Sequence, residues 1–161
     1  MKKTSAPIAA KEDNLRLDRQ LCFPLYAASR LITRLYQPLL EPHGLTYPQY
    51  VVLLILWEDA PCSVSRICER ALLNTNTLTP LLKRMEELNY IRRTRSNTDE
   101  RVVVISLTKA GVLLRRRCAC IPESLSAATS YSPEKAVALK RSLDELISKL
   151  KDLPEALIAN A

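Results

Sequence analysis

Apolar residues recur at helical spacing in the first part of the chain. From Leu15 onward, leucines and isoleucines stand three or four residues apart, or at multiples of that spacing, with arginines on another face. This pattern predicts an amphipathic helix that ends within residues 38–42. The helix is expected to begin near Asp18 or Arg19, and Pro24 is tolerable close to that start, where a proline gives up an amide that has little helical partner.

Helix caps and apolar stripes predict three shorter helices further along the chain. Thr46, with Gln49 three residues later, opens an apolar helix. Ser63 can cap a short helix, and Asn74 or Thr75 can cap the next one. The apolar stripe of this last helix comprises Leu78, Leu81, Leu82, Met85 and Leu88. Two short helices joined by a few polar residues predict a helix-turn-helix.

The periodicity changes from helical to strand-like after Tyr90. Residues 91–95 and 101–107 are rich in β-prone side chains and flank the polar segment 96–100. This arrangement predicts a two-stranded hairpin with a polar tip. The tip contains no glycine, so Asn97 is expected to carry any positive φ.

The order of these elements predicts a mainly α-helical fold with a small β-hairpin as its wing. We expect a winged helix-turn-helix over residues 46–107, between dimerisation helices over 15–45 and 108–150. A frayed tail is expected over residues 1–14, and one helix over 108–128. The first and last helices are rich in leucine yet belong to neither part of the winged helix, so a second subunit is expected to cover them.

Composition narrows the class of protein. The chain has 161 residues, a formal net charge of +7 and a pI near 9.3, so a single domain over residues 15–161 and an anionic partner such as nucleic acid are expected. No apolar segment precedes Glu12 and Asp13, which argues against a secretory signal. The longest apolar run, Val51–Trp57, is far shorter than the roughly 20 residues of a membrane span. The sequence therefore predicts a cytoplasmic protein without a membrane partner.

The cysteines form neither a disulfide framework nor a metal-ligand pattern. They are Cys22, Cys62, Cys68, Cys118 and Cys120. Their number is odd and their spacing irregular, which disfavours structural disulfides. There is no C-x-x-C pair and only one histidine, so no metal or cofactor is expected. Cys68 continues the apolar stripe of its helix, and Cys62 is expected to be a loop thiol.

The polar face of the second helix in the helix-turn-helix is a candidate for reading DNA. It comprises Thr75, Asn76, Thr79, Lys83 and Glu86. In the major groove Asn76 can read adenine through a bidentate amide contact, the threonines can touch a thymine methyl or a phosphate, and Lys83 suits a phosphate. The alternative is an ordinary solvated helix face. Pro80 removes one backbone hydrogen bond at a cost on the order of 3 kcal/mol, and it either kinks this helix or separates its first turn.

Positive charge is concentrated in the predicted hairpin. Its cations are Arg92, Arg93, Arg95 and Arg101. A wing that flanks a duplex can insert such an arginine into the minor groove, where the narrow walls deepen the negative potential. Asp99 lies two residues before Arg101, so its carboxylate can hold the guanidinium in one orientation. The candidate DNA contacts in the wing are therefore Arg93, Arg95, Asp99 and Arg101.

Several of these motifs together resemble the MarR family of winged-helix repressors. They are the runs Gly44–Tyr50, Thr77–Arg84 and Asp99–Arg101. Cys22-Phe23, followed by Tyr36 and by residues 45–50, is similar to the OhrR branch of organic hydroperoxide sensors. The resemblance extends over roughly residues 18–125.

The resemblance implies an obligate homodimer that represses transcription from a palindromic operator in double-stranded DNA. Each subunit would place its recognition helix in a major groove and its wing in a minor groove. The cysteine that matches Cys22 is the peroxide-reactive thiol of the family. Tyr36 and Tyr47 match the tyrosines that approach this thiolate from the partner subunit.

The chemistry of Cys22 fits that role. A cysteine is a nucleophile only as the thiolate, and a helix N-terminus stabilises that anion. Apolar neighbours such as Phe23 favour an organic hydroperoxide over hydrogen peroxide, and the hydroxyls of Tyr36 and Tyr47 can hydrogen-bond the sulfur. The alternative is an inert helix thiol.

The second thiol of the reaction is less clearly marked. A sulfenic acid at Cys22 would condense with a nearby thiol. One branch of the family supplies it at a position that falls near Ala127 here, about 10 Å along a helix from Cys120. Cys120 is the first candidate resolving thiol, Cys118 the second, and capping by a small thiol is the alternative.

Two other functions compete with peroxide sensing. One is a sibling repressor controlled by a small phenolic or carboxylate ligand, with Cys22 incidental. The other is a small thiol peroxidase, which is disfavoured because no cysteine lies in a peroxidase-type motif. A regulator that is not an enzyme is therefore the prediction.

Overall fold

A computed structural model describes residues 15–154 of the chain. The chain divides into two compact units, of which the first ends at Ala119 and the second begins at Cys120. The predicted tail over residues 1–14 lies outside the described residues. None of the described helices is long and apolar enough to cross a membrane.

The first long helix of the first unit, α1, spans Cys22–Leu40 and begins later than the spacing predicts. Leu17–Arg19 forms a separate 3-10 turn, and Gln20 follows it in an extended conformation that interrupts the helix. Pro24 is thus the third residue of α1, where its missing N–H costs no helical hydrogen bond. Gly44 ends the turn after α1 with a φ of 66°, a left-handed conformation that favours glycine.

The predicted helix-turn-helix is confirmed, with each helix capped as the sequence indicates. Helix α2 spans Tyr47–Asp59 behind a complete capping box, in which Gln49 accepts from the Thr46 amide at 2.9 Å. Helix α3 spans Val64–Ala71 and is capped by Ser63. Helix α4 spans Thr75–Glu87 and is capped by Asn74, whose Oδ1 accepts from the Thr77 amide at 2.8 Å. These caps satisfy amides that would otherwise lack a partner.

Helix α4 is unbroken, although Pro80 lies inside it. The first turn is therefore not separated from the rest. Pro80 removes only the hydrogen bond that would reach the Asn76 carbonyl, and the neighbouring Thr79 hydroxyl donates to the Thr75 carbonyl at 2.8 Å. The inward side chains Leu78, Leu82 and Met85 are fully buried, so tertiary packing outweighs the cost of the proline.

A three-stranded antiparallel sheet forms the wing. Strand β2 (Ile91–Arg95) pairs with β3 (Val103–Leu107), and the order across the sheet is β1-β3-β2. Strand β1 (Cys62–Ser63) was not expected, so the prediction of Cys62 as a loop thiol is wrong. Its two residues form a strand only because they pair with β3, and so short a segment has no alternating pattern of its own.

The tip of the hairpin is closed by side chains instead of a left-handed residue. The Ser96 hydroxyl accepts from the amides of Thr98 and Asp99, and the Ser96 amide donates to the Val102 carbonyl at 2.8 Å. The expectation of a positive φ at Asn97 is wrong, since the positive φ angles at described non-glycine residues are those of Leu72, Asn89 and Ser130. The hydroxyl turns the chain without that strain.

The single helix predicted over residues 108–128 is in fact two helices. Helix α5 spans Lys109–Arg117, and α6 spans Ile121–Thr129 at the start of the second unit. Pro122 explains the break, because its ring would clash with the carbonyl four residues earlier in a continuous helix. The last helix, α7, spans Pro133–Lys151 behind a Ser132 cap, as predicted.

The core of the first unit is built around α2. Its buried aliphatic residues are Val52, Leu53, Ile55 and Leu56. Gly111 at the start of α5 packs directly against Tyr90, since a Cβ atom there would lie 2.1 Å from the Tyr90 carbonyl oxygen. Tyr90 and Leu107 form the root of the wing, which thereby packs directly against α5.

Candidate functional site

The face of α4 that the sequence assigns to DNA is exposed. Thr75, Asn76, Thr79 and Lys83 all lie on the surface. On the opposite face, Leu78, Leu82 and Met85 are buried. Glu86 is the exception: it is half-buried, and its carboxylate accepts from the Arg93 amide at 3.0 Å. Glu86 therefore joins the recognition helix to the wing and does not belong to the free polar face.

The wing holds Arg101 in a defined orientation. The Arg101 amide and Nε both donate to Asp99 Oδ1, at 3.0 and 3.2 Å. These hydrogen bonds from Arg101 hold the pKa of the Asp99 carboxyl below its usual range. The Arg101 side chain is otherwise almost fully exposed, so it projects from the hairpin as a restrained cation. Arg95 is also exposed.

A cleft of about 290 Å³ lies between α4 and the wing. It brings together Thr75, Thr79, Arg93 and Arg101 with the cap residue Ser63 and with Ser65 of α3. Within the described residues, Arg93 Nε is buried without a hydrogen-bond acceptor. A buried guanidinium nitrogen needs an acceptor, and a DNA phosphate at this cleft would supply one.

Ser65 is a lining residue of this cleft that lies on α3. The sequence did not single out Ser65, and the signal that could have found it is its position in the first turn of α3, two residues after the Ser63 cap.

Cys22 is the first residue of α1, as the proposed thiolate chemistry requires, and it is exposed. Its apolar neighbours Leu21, Phe23 and Leu25 are 70%, 40% and 37% exposed. The described part of the first unit therefore leaves apolar surface exposed around the thiol.

Tyr36 and Tyr47 form a pair. Their ring centroids lie 4.7 Å apart at an interplanar angle of 54°, and Tyr36 also packs on Tyr50 at 5.7 Å. Burial, and secondarily the neighbouring Tyr47, raise the pKa of the Tyr36 phenol. The Tyr36 hydroxyl therefore remains a protonated donor at neutral pH.

The structure does not bring Cys22 to this tyrosine pair within one chain. Cys22 and Tyr36 lie on the same helix, α1, 14 residues apart. At a rise of 1.5 Å per residue the separation along the axis is about 21 Å, far beyond hydrogen-bond distance.

A second cleft, of about 410 Å³, lies between α1 and the start of α2. Thr33, Arg34 and Gln37 line it from α1, and Leu45 and Tyr47 line it from the other side. The tyrosine pair thus borders a space that is large enough for a small organic molecule.

The remaining thiols differ in accessibility. Cys118 ends α5 and is 2% exposed, whereas Cys120 precedes α6 and is exposed. Cys68 is half-buried, and its Sγ lies 3.8 Å from Thr75 Oγ1. Burial, and secondarily Asp59, raise the pKa of the Cys62 thiol. Among residues 15–154, no cluster of three or more potential ligands could hold a metal ion.

Comparisons with known proteins agree with this geometry. A family model described as transcriptional regulator SarA/Rot matches residues 34–114. The organic hydroperoxide resistance transcriptional regulator of Bacillus subtilis is 45% identical over 140 residues, which cover 87% of this chain and 95% of that protein.

Solved structures of AbfR, a protein of Staphylococcus epidermidis, are also similar. Reduced AbfR bound to DNA is 34% identical, with a TM-score of 0.70, and the match covers 88% of this chain and 99% of that one. Overoxidized AbfR bound to DNA is 35% identical, with a TM-score of 0.69, and the match covers 87% and 98%. The chain belongs to the MarR-like family of winged-helix transcriptional regulators that the SarA/Rot model describes.

Proposed function

We propose that the protein is a redox-sensing transcriptional repressor that binds a palindromic operator as a homodimer and leaves it when organic hydroperoxides oxidise Cys22. The observation that carries this proposal is the separation of the Cys22 thiol from the Tyr36–Tyr47 pair within one chain. An exposed thiol stands at the N-terminus of α1, and a matched pair of phenols stands about 21 Å away along the same helix. The name of the Bacillus subtilis relative supports organic hydroperoxides as the signal.

The apolar surface around Cys22 supports a second copy of the chain as the partner. Besides the neighbours of the thiol, α1 exposes Tyr26, Leu31, Ile32 and Leu35. A surface of this kind on a soluble protein marks an interface. If two α1 helices pack with opposite directions, the thiol of each subunit faces the tyrosine pair of the other.

The chemistry at Cys22 is a two-electron oxidation. The thiolate attacks the terminal peroxide oxygen, an S–O bond forms as the O–O bond breaks, and the alkoxide leaves and takes up a proton to become an alcohol. Condensation of the sulfenic acid with a thiol then gives a disulfide and water. Cys120 is favoured over Cys118 as the resolving thiol because it is exposed and Cys118 is buried. Capping by a small thiol is the remaining alternative.

The DNA interface follows from the exposed face of α4 and from the wing. We assign Thr75, Asn76 and Thr79 to the major groove, Lys83 to a phosphate, and the wing arginines to the minor groove and its flanking phosphates. These arginines are Arg93, Arg95 and Arg101, with Asp99 orienting the last of them. Two-fold symmetry of a dimer would require an operator with matching half-sites.

Oxidation would weaken DNA binding through the tyrosines. A sulfenic acid or disulfide at Cys22 no longer offers a thiolate to the hydroxyls of Tyr36 and Tyr47. Tyr47 is the first residue of α2, which packs at the centre of the winged helix, so a shift of Tyr47 moves the helix that supports both DNA-binding elements.

The test is DNA release by cumene hydroperoxide, with a duplex that the reduced protein selects from random sequence. We expect wild type and a matched Cys62→Ser control to leave the duplex on oxidation, and Cys22→Ser to stay bound. If Cys22→Ser releases the duplex as readily as wild type, the proposal is wrong.

Mixed dimers test the assignment of the thiol and the tyrosines to different subunits. Cys22→Ser chains are combined with chains that carry both Tyr36→Phe and Tyr47→Phe. The mixed dimer then holds one complete site if the site spans two subunits, and none if it lies within one. Oxidation of one thiol per dimer at the wild-type rate, measured by mass spectrometry, is expected. A rate no faster than that of the tyrosine variant alone would contradict the arrangement.

The cleft beside Tyr47 favours one second candidate function, control by a small phenolic or carboxylate ligand. Arg34 on its wall suits a carboxylate. Release of DNA from the Cys22→Ser protein by an aromatic acid, with no response to cumene hydroperoxide in wild type, would favour this alternative.

A further inference from the structure

An uninterrupted series of aromatic contacts runs from the sensor tyrosines to the far end of α2. Tyr47 packs on Tyr36 at 4.7 Å between ring centroids, and Tyr36 packs on Tyr50 at 5.7 Å. Tyr50 then meets Trp57 edge-on at 6.1 Å. Aromatic pairs at these separations interact specifically through the charge distribution of their rings.

The last ring of the series is hydrogen-bonded to α5, which in turn is hydrogen-bonded to the root of the wing. Trp57 Nε1 donates to the Gly111 carbonyl oxygen at 3.0 Å. The Gly111 amide donates to Thr108 Oγ1 at 3.1 Å, and the Thr108 amide donates to the Tyr90 carbonyl at 3.1 Å. Tyr90 directly precedes strand β2. Each step from the sensor tyrosines to the wing is therefore a direct contact.

We propose that Trp57 is a positioning residue that passes the oxidation state of Cys22 to the wing through its hydrogen bond to Gly111. This inference rests on the proposed redox function. It adds a defined route from the tyrosine pair to the minor-groove arginines, which touches neither the thiol nor the DNA.

Trp57 has room to move. One side of it borders the open cleft of about 350 Å³, together with Pro61 and Leu107, and the ring is only half-buried. A new position of Tyr50 can therefore reorient the indole without opening the core.

A small movement at the wing root is enough to matter at the DNA. Strand β2 has five residues, so the wing extends about 17 Å from its root. A rotation of about 10° displaces the tip by about 3 Å, which is half the width of a minor groove of about 6 Å. Such a displacement would move the Arg101 side chain out of the minor groove.

A competing route leads through the ion pairs of α3. Arg70 bonds Glu58 at 2.6 Å and Asp59 at 2.7 Å, which ties α3 to the end of α2. Glu58 is 60% exposed, so water and salt screen this contact. Arg70→Gln serves as the variant that interrupts this route and leaves the indole bond intact.

The decisive experiment compares DNA affinity before and after oxidation with cumene hydroperoxide in Trp57→Phe, Arg70→Gln and wild type. Phenylalanine keeps an apolar ring but has no N–H for Gly111. We expect reduced Trp57→Phe to bind as tightly as wild type, while the loss of affinity on oxidation, about 5- to 150-fold for a typical coupling, falls toward 1-fold. Arg70→Gln should keep the wild-type ratio.

Two results would overturn the inference: a wild-type ratio in Trp57→Phe, or loss of the ratio in Arg70→Gln alone. Failure of wild type itself to respond to oxidation would instead refute the proposed function, so the two failures are distinguishable.

Fluorescence gives a readout that does not require the replacement of Trp57. Trp57 is the sole tryptophan of the chain, so its emission reports this position alone. We expect oxidation to shift the emission of wild type but not of Cys22→Ser. Unchanged emission in wild type that has released its DNA would also overturn the inference.

Discussion

Replacing Gly111 by alanine tests the packing of α5 against the wing root. A Cβ atom at this position would lie 2.1 Å from the Tyr90 carbonyl oxygen and 3.2 Å from Leu107 Cδ2. Carbon and oxygen atoms of this kind ordinarily approach to about 3.3 Å, so α5 and the wing root must separate by about 1 Å.

Two effects of opposite sign compete in this variant. Alanine favours the helix over glycine by about 1 kcal/mol. Overpacking costs about 1–3 kcal/mol, and weakening the hydrogen bond from the Thr108 amide to the Tyr90 carbonyl costs about 1 kcal/mol more. The obstacle is backbone and cannot swing away as a side-chain end would. We therefore expect a net loss of about 2 kcal/mol of stability.

The assay is urea unfolding at one fixed protein concentration, because the proposed dimerisation would make stability depend on concentration. With a slope of about 2 kcal/mol per molar urea, the midpoint should fall by about 1 M. Val112→Ala, at the neighbouring exposed position, should change the midpoint little. A Gly111→Ala protein as stable as wild type would refute the steric argument.

Three further substitutions address the DNA-binding part. Asn74→Ala removes the cap of α4 and should cost about 1 kcal/mol of stability in the same urea assay. Lys83→Ala should reduce the slope of log affinity against log salt by about 1, measured by anisotropy over a salt series; an unchanged slope would exclude a phosphate contact. Asp99→Asn frees the Arg101 side chain and should weaken DNA binding at pH 7. Folding lowers the pKa of Asp99, so its carboxylate should orient Arg101 fully above the ordinary carboxyl pKa of about 4. This effect should be lost only as the pH falls through the lowered pKa. The difference in DNA affinity between Asp99→Asn and wild type should therefore persist from pH 7 to pH 5.

The parts of the fold that sequence predicts are those set by local chemistry. Ser63 and Asn74 cap their helices because side-chain oxygens satisfy nearby amides whatever the rest of the chain does. The short strand β1 escaped prediction because Cys62 becomes extended only through its pairing with β3. Pro122 was a visible signal for the break between α5 and α6, but the apolar periodicity on either side of it concealed the break.

In the candidate site, too, local contacts could be predicted from the sequence and contacts between distant segments could not. Asp99 and Arg101 are close in sequence, so their contact could be anticipated from spacing. Glu86 was expected on the free face of α4 because helical periodicity says nothing about the wing that approaches it. The pairing of Tyr36 with Tyr47 joins two helices, so the sequence suggested it only through resemblance to a family.

The central position of α2 explains how so small a chain can connect a thiol chemistry to DNA. Tyr47 begins this helix and Trp57 lies ten residues later, about 15 Å along its axis. The aliphatic residues between them are buried on several faces, so the helix cannot bend freely and a displacement at one end reaches the other. At that far end, the hydrogen bond of the indole to Gly111 leads to the wing, while α4 remains fixed by its buried side chains and by its own Asn74 cap. The wing is therefore the element that can move without loss of the core, and release of DNA should begin there.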